Sequence, residues 1–159
     1  MPKHDISMLS SLAYNDICIM KTEQRFPLPP WDMENAAQKL QIIEDEWNTL
    51  DPEKVIIGYA PNAEVRYGTE FLNGREEIKQ FLNNKWQQQL GFKLKLDLWG
   101  ALKGRMAVRF ECEWHNNTAG QWYRSYGVQV FQFDDNGYVQ MNFASFNDEP
   151  IAESTRKLV

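Results

Sequence analysis

Arg105-Met106-Ala107-Val108-Arg109-Phe110-Glu111-Cys112-Glu113-Trp114-His115 leads into Asn116-Asn117-Thr118-Ala119-Gly120, and Gln121-Trp122-Tyr123-Arg124-Ser125-Tyr126-Gly127-Val128-Gln129-Val130-Phe131-Gln132-Phe133 follows. In the first run Met106, Val108, Phe110, Cys112 and Trp114 share one face, and Arg105, Arg109, Glu111, Glu113 and His115 share the other. Successive side chains of a strand point to opposite faces, so this alternation predicts a β-strand. The Asn, Thr and Gly between the runs predict a hairpin with a loop of several residues. Both runs exceed the usual strand of about five or six residues, which predicts a long, curved sheet.

The neighbouring segments extend the pattern. Upstream, Phe92, Leu94, Leu96 and Leu98 alternate with Lys93, Lys95, Asp97 and Trp99, and the 100–104 segment turns into the hairpin. Downstream, Asp134-Asp135-Asn136-Gly137 is a turn signal, and a last strand runs from Tyr138 to about Asn147. Three helices precede the strands. Asp32 caps one that runs to about Thr49 and buries Ala36, Leu40, Ile43 and Trp47. Asp51-Pro52 starts a short one that carries Val55, Ile56 and Tyr59 inward. Asn73 and Gly74 open the third, whose inner stripe is Ile78, Phe81, Leu82 and the Lys85-Trp86 pair. A turn at Ala60-Pro61-Asn62 and a short strand at Ala63–Tyr67 separate the second helix from the third. The order predicts an α+β fold, with helices on one face of a mostly antiparallel sheet.

Residues 1–25 read as an N-terminal extension, with Met20 a natural beginning, and Phe26–Pro30 as an extended lead-in. The folded domain is expected over 26–151. The polar residues 152–159 are expected to fray.

Composition narrows the function. The 159 residues suffice for one domain with a core. A net charge of −5 without a basic run excludes nucleic acid or an anionic membrane as the expected partner. Aromatic content of 13%, with six Trp, supplies rings for a large core or for an organic ligand. The cysteines are Cys18 and Cys112; Cys112 falls on an apolar strand face, which suits a buried thiol in a reducing cytoplasm. The histidines are His4 and His115, too few for a His- or Cys-based metal site. No Gly-x-Ser-x-Gly elbow or phosphate-cradling glycine loop occurs.

Several short matches occur together: Trp47-Asn48 with Asp51-Pro52, Tyr59-Ala60-Pro61 with Ala63, Gly74-Arg75-Glu76-Glu77-Ile78, Ala107-Val108-Arg109-Phe110, Glu113-Trp114-His115, Arg124-Ser125-Tyr126-Gly127, and Ala144-Ser145 with Asn147-Asp148. Together they resemble the nuclear transport factor 2-like superfamily, within it a SnoaL-like family of small proteins, over roughly residues 26–151. The resemblance implies a cone-shaped α+β fold of three helices on a long curved sheet, with a pocket between helices and sheet. It also implies cofactor-free chemistry of the isomerase, cyclase, hydrolase or dehydratase kind, or plain ligand binding. The position of the isomerases' aspartate base matches Tyr67 here, and Gly68, Val128 and Met141 stand where relatives carry basic or amide residues.

Arg109, Glu113 and His115 lie at i, i+4 and i+6 on one strand face. One reading makes Glu113 and His115 an acid–base pair, with Arg109 holding an anion. The other makes them a solvated ion-pair ladder with a neighbouring strand, Arg124 included. Arg66, Glu70 and Arg75 either bind a carboxylate or brace the Gly74 turn. Tyr59, Tyr67, Trp99, Trp122 and Tyr126 are candidate pocket walls or core, and Arg124 and Asn147 complete the candidate ligand contacts. The expected partner is a small organic molecule, with no cofactor. A homodimer through the outer sheet face is also expected, since the strands' aromatics cannot all point inward.

Overall fold

Asp32 begins the first helix with a reciprocal cap. Its carboxylate accepts from the Asn35 N–H at 2.7 Å, and its own N–H donates to Asn35 Oδ1 at 2.8 Å. The computed structural model describes residues 23–159. From this cap α1 runs Met33–Asn48, and Ala36, Leu40, Ile43 and Trp47 form its buried stripe as the spacing predicts. Asp51 caps α2 (Pro52–Ile56) by accepting from the Glu53 N–H. The chain continues through β1 (Tyr59–Tyr67), β2 (Glu70–Asn73), α3 (Gly74–Gln88), β3 (Gln89–Leu102), β4 (Arg105–Asn116), β5 (Trp122–Phe133) and β6 (Val139–Ile151).

The six strands form one sheet in the order β2-β1-β6-β5-β4-β3; β1 and β6 are parallel and every other pair is antiparallel. α1 lies over β3 and α3 over β1, so all the helices cover one face. This is the expected α+β cone. Two expectations about the strands need correction. The 60–62 segment is strand rather than turn, and β6 extends four residues beyond Asn147. β1 is paired on both sides of the proline, Tyr59 with Val139 and Glu64–Tyr67 with β2 and β6, and the proline lies in the register shift between them; pairing with β5 carries β6 to Ile151.

The inner face is built in rows across the strands. Met106, Phe131 and Asn142 form one row; Phe110, Gly127 and Phe146 form another; Cys112, Ser125 and Asp148 form a third. Gly127 has a steric role: a Cβ there would stand 2.2 Å from Phe110 Cζ, so the ring occupies the space a side chain would need. The alternation of β4 survives to Trp114, since its register with β5 is unbroken. Register shifts occur instead between β3 and β4, at Leu90/Lys93 and Leu98/Gly100.

α1 also closes a sheet edge. β3 is the last strand on its side, yet the Leu94 N–H donates to Asn48 Oδ1 at 2.8 Å, the Leu94 carbonyl accepts from Asn48 Nδ2 at 2.9 Å, and the Leu96 N–H donates to Glu44 Oε2 at 2.8 Å. Helix side chains thus satisfy groups that an edge strand would leave open.

Both ends of the chain depart from expectation. Residues 1–22 of the expected extension lie outside the described residues. Arg25, also assigned to it, is held in place. Its N–H donates to the Asn136 carbonyl at 2.8 Å, its guanidinium pairs with Glu46 at 2.5 Å, and its carbonyl accepts from Lys39 Nζ at 2.6 Å. Burial and the nearby Arg25 charge push the Lys39 ammonium down to about 8. The 26–30 lead-in bends, with cis bonds at Phe26–Pro27 and Pro29–Pro30, rather than running straight. The 152–159 tail does not fray. It makes a 3-10 turn at Glu153–Thr155 and docks on the outer sheet face through the Lys157 and Leu158 N–H groups. Among the described residues no helix is long and apolar enough to cross a membrane.

Candidate functional site

The space between helices and sheet is nearly full. Between α1 and the sheet lies a void of ≈ 10 Å³, bounded by Trp47, Tyr59, Tyr67, Phe110, Gln129 and Asn142 among others. One water needs roughly 10–15 Å³. Aromatic rings do the filling: Tyr67 packs on Phe146 at 4.8 Å, on Phe81 at 5.3 Å and on Trp47 at 6.2 Å between centroids. Burial pushes the hydroxyls of Tyr59 and Tyr67 well above the usual phenol range, so Tyr67 cannot replace an aspartate base. Asn142, fully buried, donates to Gln129 Oε1 at 3.1 Å, which satisfies two polar groups in this apolar space.

Most residues singled out from the sequence lie on the other face. Arg109, Glu113, His115, Trp122, Arg124, Tyr126 and Asn147 have the outward parity of their strands, as does Arg66, and Trp99 sits unpaired in the β3 register shift between Leu98 and Gly100. They do not line the cone, and the acid–base reading of Arg109, Glu113 and His115 is corrected on that ground. Arg109 pairs instead with Glu111 at 2.7 Å. His115 Nδ1 lies 3.2 Å from the Asn116 carbonyl, and the ring tilts against Trp122. Arg66 donates to the Gly68 and Ala144 carbonyls and to Ser145 Oγ, which braces the end of β1. Arg75 donates to the Tyr59 carbonyl at 2.8 Å. Trp99 is exposed, its indole N–H donating to Asp97.

Glu113 is fully buried although it points away from the core, because the C-terminal tail covers it. Its carboxylate accepts from Arg124 Nε at 2.9 Å and Nη2 at 2.6 Å, and from the N–H groups of Lys157 at 3.0 Å and Leu158 at 2.6 Å. Arg124 also donates to the Thr155 carbonyl, and the Arg156 guanidinium stacks 3.8 Å from the Trp122 ring. Burial opposes the charge on Glu113, but the Leu158 N–H, Arg124 and the Lys157 N–H outweigh it and hold the carboxyl below its ordinary range. A carboxylate so occupied has no lone pair left for a substrate proton. This is a structural clamp.

A larger cavity opens at the wide end of the cone. It measures ≈ 860 Å³ and lies between α3, the β1–β2 turn and the end of β6; Tyr67, Phe81 and Phe146 wall it, and Lys85, Gln89, Glu70, Glu77 and Asp148 supply polar groups. Lys85 follows Ile78, Phe81 and Leu82 on the inner stripe of α3 and carries its ammonium inward. Nζ lies 4.7 Å from the Tyr67 ring centroid and 5.3 Å from that of Phe92, and donates to Gln89 Oε1 at 2.8 Å. No carboxylate among the described residues pairs with it. Burial pulls its pKa below the usual lysine range, against the opposing pull of Cys112 and Asp148. Burial likewise raises the neighbouring Cys112 thiol. Asp148 stands opposite, in the row with Ser125 and Cys112. It accepts from Ser125 Oγ at 2.5 Å, and Ser125 in turn accepts from Trp114 Nε1 at 3.0 Å. The chain of donors fixes one carboxylate oxygen, while the Asp148 residue stays exposed at the cavity.

Neither Lys85 nor Asp148 stood out as chemistry in the sequence, yet each left a signal. Lys85 is a charge on an apolar helix stripe. Asp148 continues the inward parity of Asn142, Ala144 and Phe146. Tyr67 is the candidate wall residue that does face the cleft; Tyr59 faces only the small void. Among the described residues no cluster of three or more His, Cys, Asp or Glu is placed to hold a metal ion.

Solved structures share this architecture. An NTF2-like protein of unknown function from Burkholderia pseudomallei matches at 17% identity, over 72% of this chain and 92% of its own, with a TM-score of 0.63. A hypothetical protein with a ketosteroid isomerase-like fold from Catenulispora acidiphila, in complex with trimethylamine, matches at 9% identity, over 68% of this chain and 84% of its own, with a TM-score of 0.61. SalBIII, an epoxide hydrolase/cyclase-like enzyme of pyran ring formation in salinomycin, matches at 14% identity, over 72% and 95%, with a TM-score of 0.60. No curated protein matches the sequence. The fold is that of the nuclear transport factor 2-like superfamily, as the short sequence matches imply. Residues 29–159 match the model of one family throughout, and the chain belongs to it: Protein of unknown function (DUF1348).

Proposed function

We propose that this protein binds a small organic molecule in the cavity at the wide end of the cone and handles a proton there without a cofactor, using Lys85 and Asp148. One observation carries the reading. The void between α1 and the sheet measures only ≈ 10 Å³, whereas the ≈ 860 Å³ end cavity is lined by both a desolvated lysine and a serine-oriented carboxylate beside aromatic walls. Desolvation and positioning of this kind are what acid–base catalysis at neutral pH needs. The apolar walls suit an organic body and the two polar groups suit a carbonyl or hydroxyl on it. The likeness to SalBIII, an epoxide hydrolase/cyclase-like enzyme, supports hydrolase or cyclase chemistry on this scaffold as the class to test. Cys112 is buried and has no disulfide partner among the described residues, which suits a reducing cytoplasm as its setting.

The test is titration with a neutral aromatic ketone such as acetophenone, followed by amide resonances. Shifts at Phe81, Lys85 and Phe146 that weaken in Lys85→Met and Asp148→Asn support the reading. Shifts absent from the cavity remove it.

The working form we propose is a homodimer. The tail covers one end of the outer sheet face and leaves the other bare. There Val128, Val130 and Met141 are exposed beside a groove of ≈ 490 Å³ lined by Ala101, Leu102, Ala107, Val130, Met141 and Phe143 among others. Covering such an apolar patch favours association of two copies. Val130→Asp is expected to shift light scattering from the mass of two chains to that of one. A wild-type mass of one chain at micromolar concentration rejects the dimer.

A further inference from the structure

We propose that Lys85 is a nucleophilic amine that takes a neutral aldehyde or ketone as an imine in the end cavity; this rests on the reading of that cavity as the working site.

Among the described residues two lysines have an ammonium destabilised by burial, and geometry separates them. Lys39 is 3% exposed, beneath the Arg25 segment, and its Nζ is consumed by the Arg25 carbonyl at 2.6 Å. No reactant reaches it. Lys85 lines a cavity that opens to solvent. Lys79 and Lys95 are paired with the carboxylates of Glu53 and Glu44. Lys85 has only the neutral Gln89 amide as acceptor, so no anion locks it as an ammonium. The ammonium lies over the Tyr67 and Phe92 rings, and burial lowers its pKa against the opposing pull of Cys112 and Asp148. A desolvated lysine against apolar walls is an activated nucleophile. The cavity also holds Glu70, Glu77 and Asp148, which disfavour an anionic ligand and leave a neutral carbonyl compound unopposed.

The chemistry balances with groups present. The free amine's lone pair attacks the carbonyl carbon, forming the C–N bond while the π pair moves to oxygen. Asp148 accepts a proton from the new ammonium centre, the oxygen is protonated from solvent, and the neutral carbinolamine results. Asp148 then returns its proton to the hydroxyl, which leaves as water as the nitrogen lone pair forms the C=N bond. The net change is amine plus carbonyl giving protonated imine plus hydroxide, the hydroxide being the counterpart of the solvent proton taken up. No oxidant or further reactant is required.

The probe is benzaldehyde with sodium cyanoborohydride, which reduces an imine to a stable benzyl amine that peptide mass mapping locates. Lys85 is expected to be labelled faster than exposed Lys54 and Lys103, as a desolvated amine should be. Asp148→Asn, a change at an exposed residue, is expected to slow labelling at Lys85 and leave Lys103 unchanged. Equal labelling of Lys85 and Lys103, with benzaldehyde still shifting the Phe81 and Phe146 amides, overturns the imine and leaves the cavity reading standing. No shift at those amides overturns both.

Discussion

The Glu113 carboxylate accepts the Leu158 N–H at 2.6 Å across 45 residues of sequence, and this contact joins the middle of the sheet to the end of the chain. Arg124, 6% exposed, is the other half of the clamp. Removing one partner of a buried ion pair leaves the other uncompensated. Glu113→Ala is therefore expected to lower the unfolding free energy by about 3–5 kcal/mol. A urea midpoint displaced at unchanged slope reads this directly. A loss under about 1 kcal/mol would show the pair to be as weak as an exposed one.

The same clamp predicts an acid response. The folded carboxyl of Glu113 is held below its ordinary value, so its stabilising contribution is complete above the unfolded pKa of about 4.3. The contribution is lost as pH falls from there through the depressed folded value. The tail is expected to loosen in that window. Hydrogen exchange at Leu158, corrected for the intrinsic pH dependence, should lose protection below about pH 4.3 and keep it above.

Much of this was readable in advance. The alternation of Met106 to Trp114 with Arg105 to His115 assigned the two faces of β4 correctly, since a strand has period two whatever surrounds it. The caps Asp32 and Asp51 and the stripe of α1 were equally legible, being local. The site was not. Polarity drew attention to Glu113 and His115, yet polar residues with outward parity satisfy their neighbours or solvent. The residues that reach the cavity, Lys85 and Asp148, sit in patterns that are otherwise apolar. Glu113 shows why spacing fell short: its burial depends on Lys157 and Leu158, and no local pattern reports a contact between positions so far apart.

Gly127→Ala tests the row of Phe110, Gly127 and Phe146. A Cβ 2.2 Å from Phe110 Cζ forces the ring to move, and the nearby void of ≈ 10 Å³ is too small to receive it. The expected loss is about 1–3 kcal/mol, the usual cost of overpacking. An unchanged thermal midpoint would mean the row is looser than its contacts imply.

Asn48→Leu tests the link between α1 and β3. The variant keeps much of the volume but leaves the Leu94 N–H and carbonyl without their partner. Exposing these groups is expected to cost about 1–3 kcal/mol and to speed exchange at the Leu94 amide selectively.

Those Asn48 and Glu44 contacts also limit how molecules of this protein can join. A sheet grows indefinitely when a neighbouring chain lays a new strand along a free border. Here the middle of the β3 border is occupied by α1, and the opposite border is β2, four residues long. Neither is a good template for ribbon-to-ribbon growth. The helix that covers the core thus also guards this border against fibre formation.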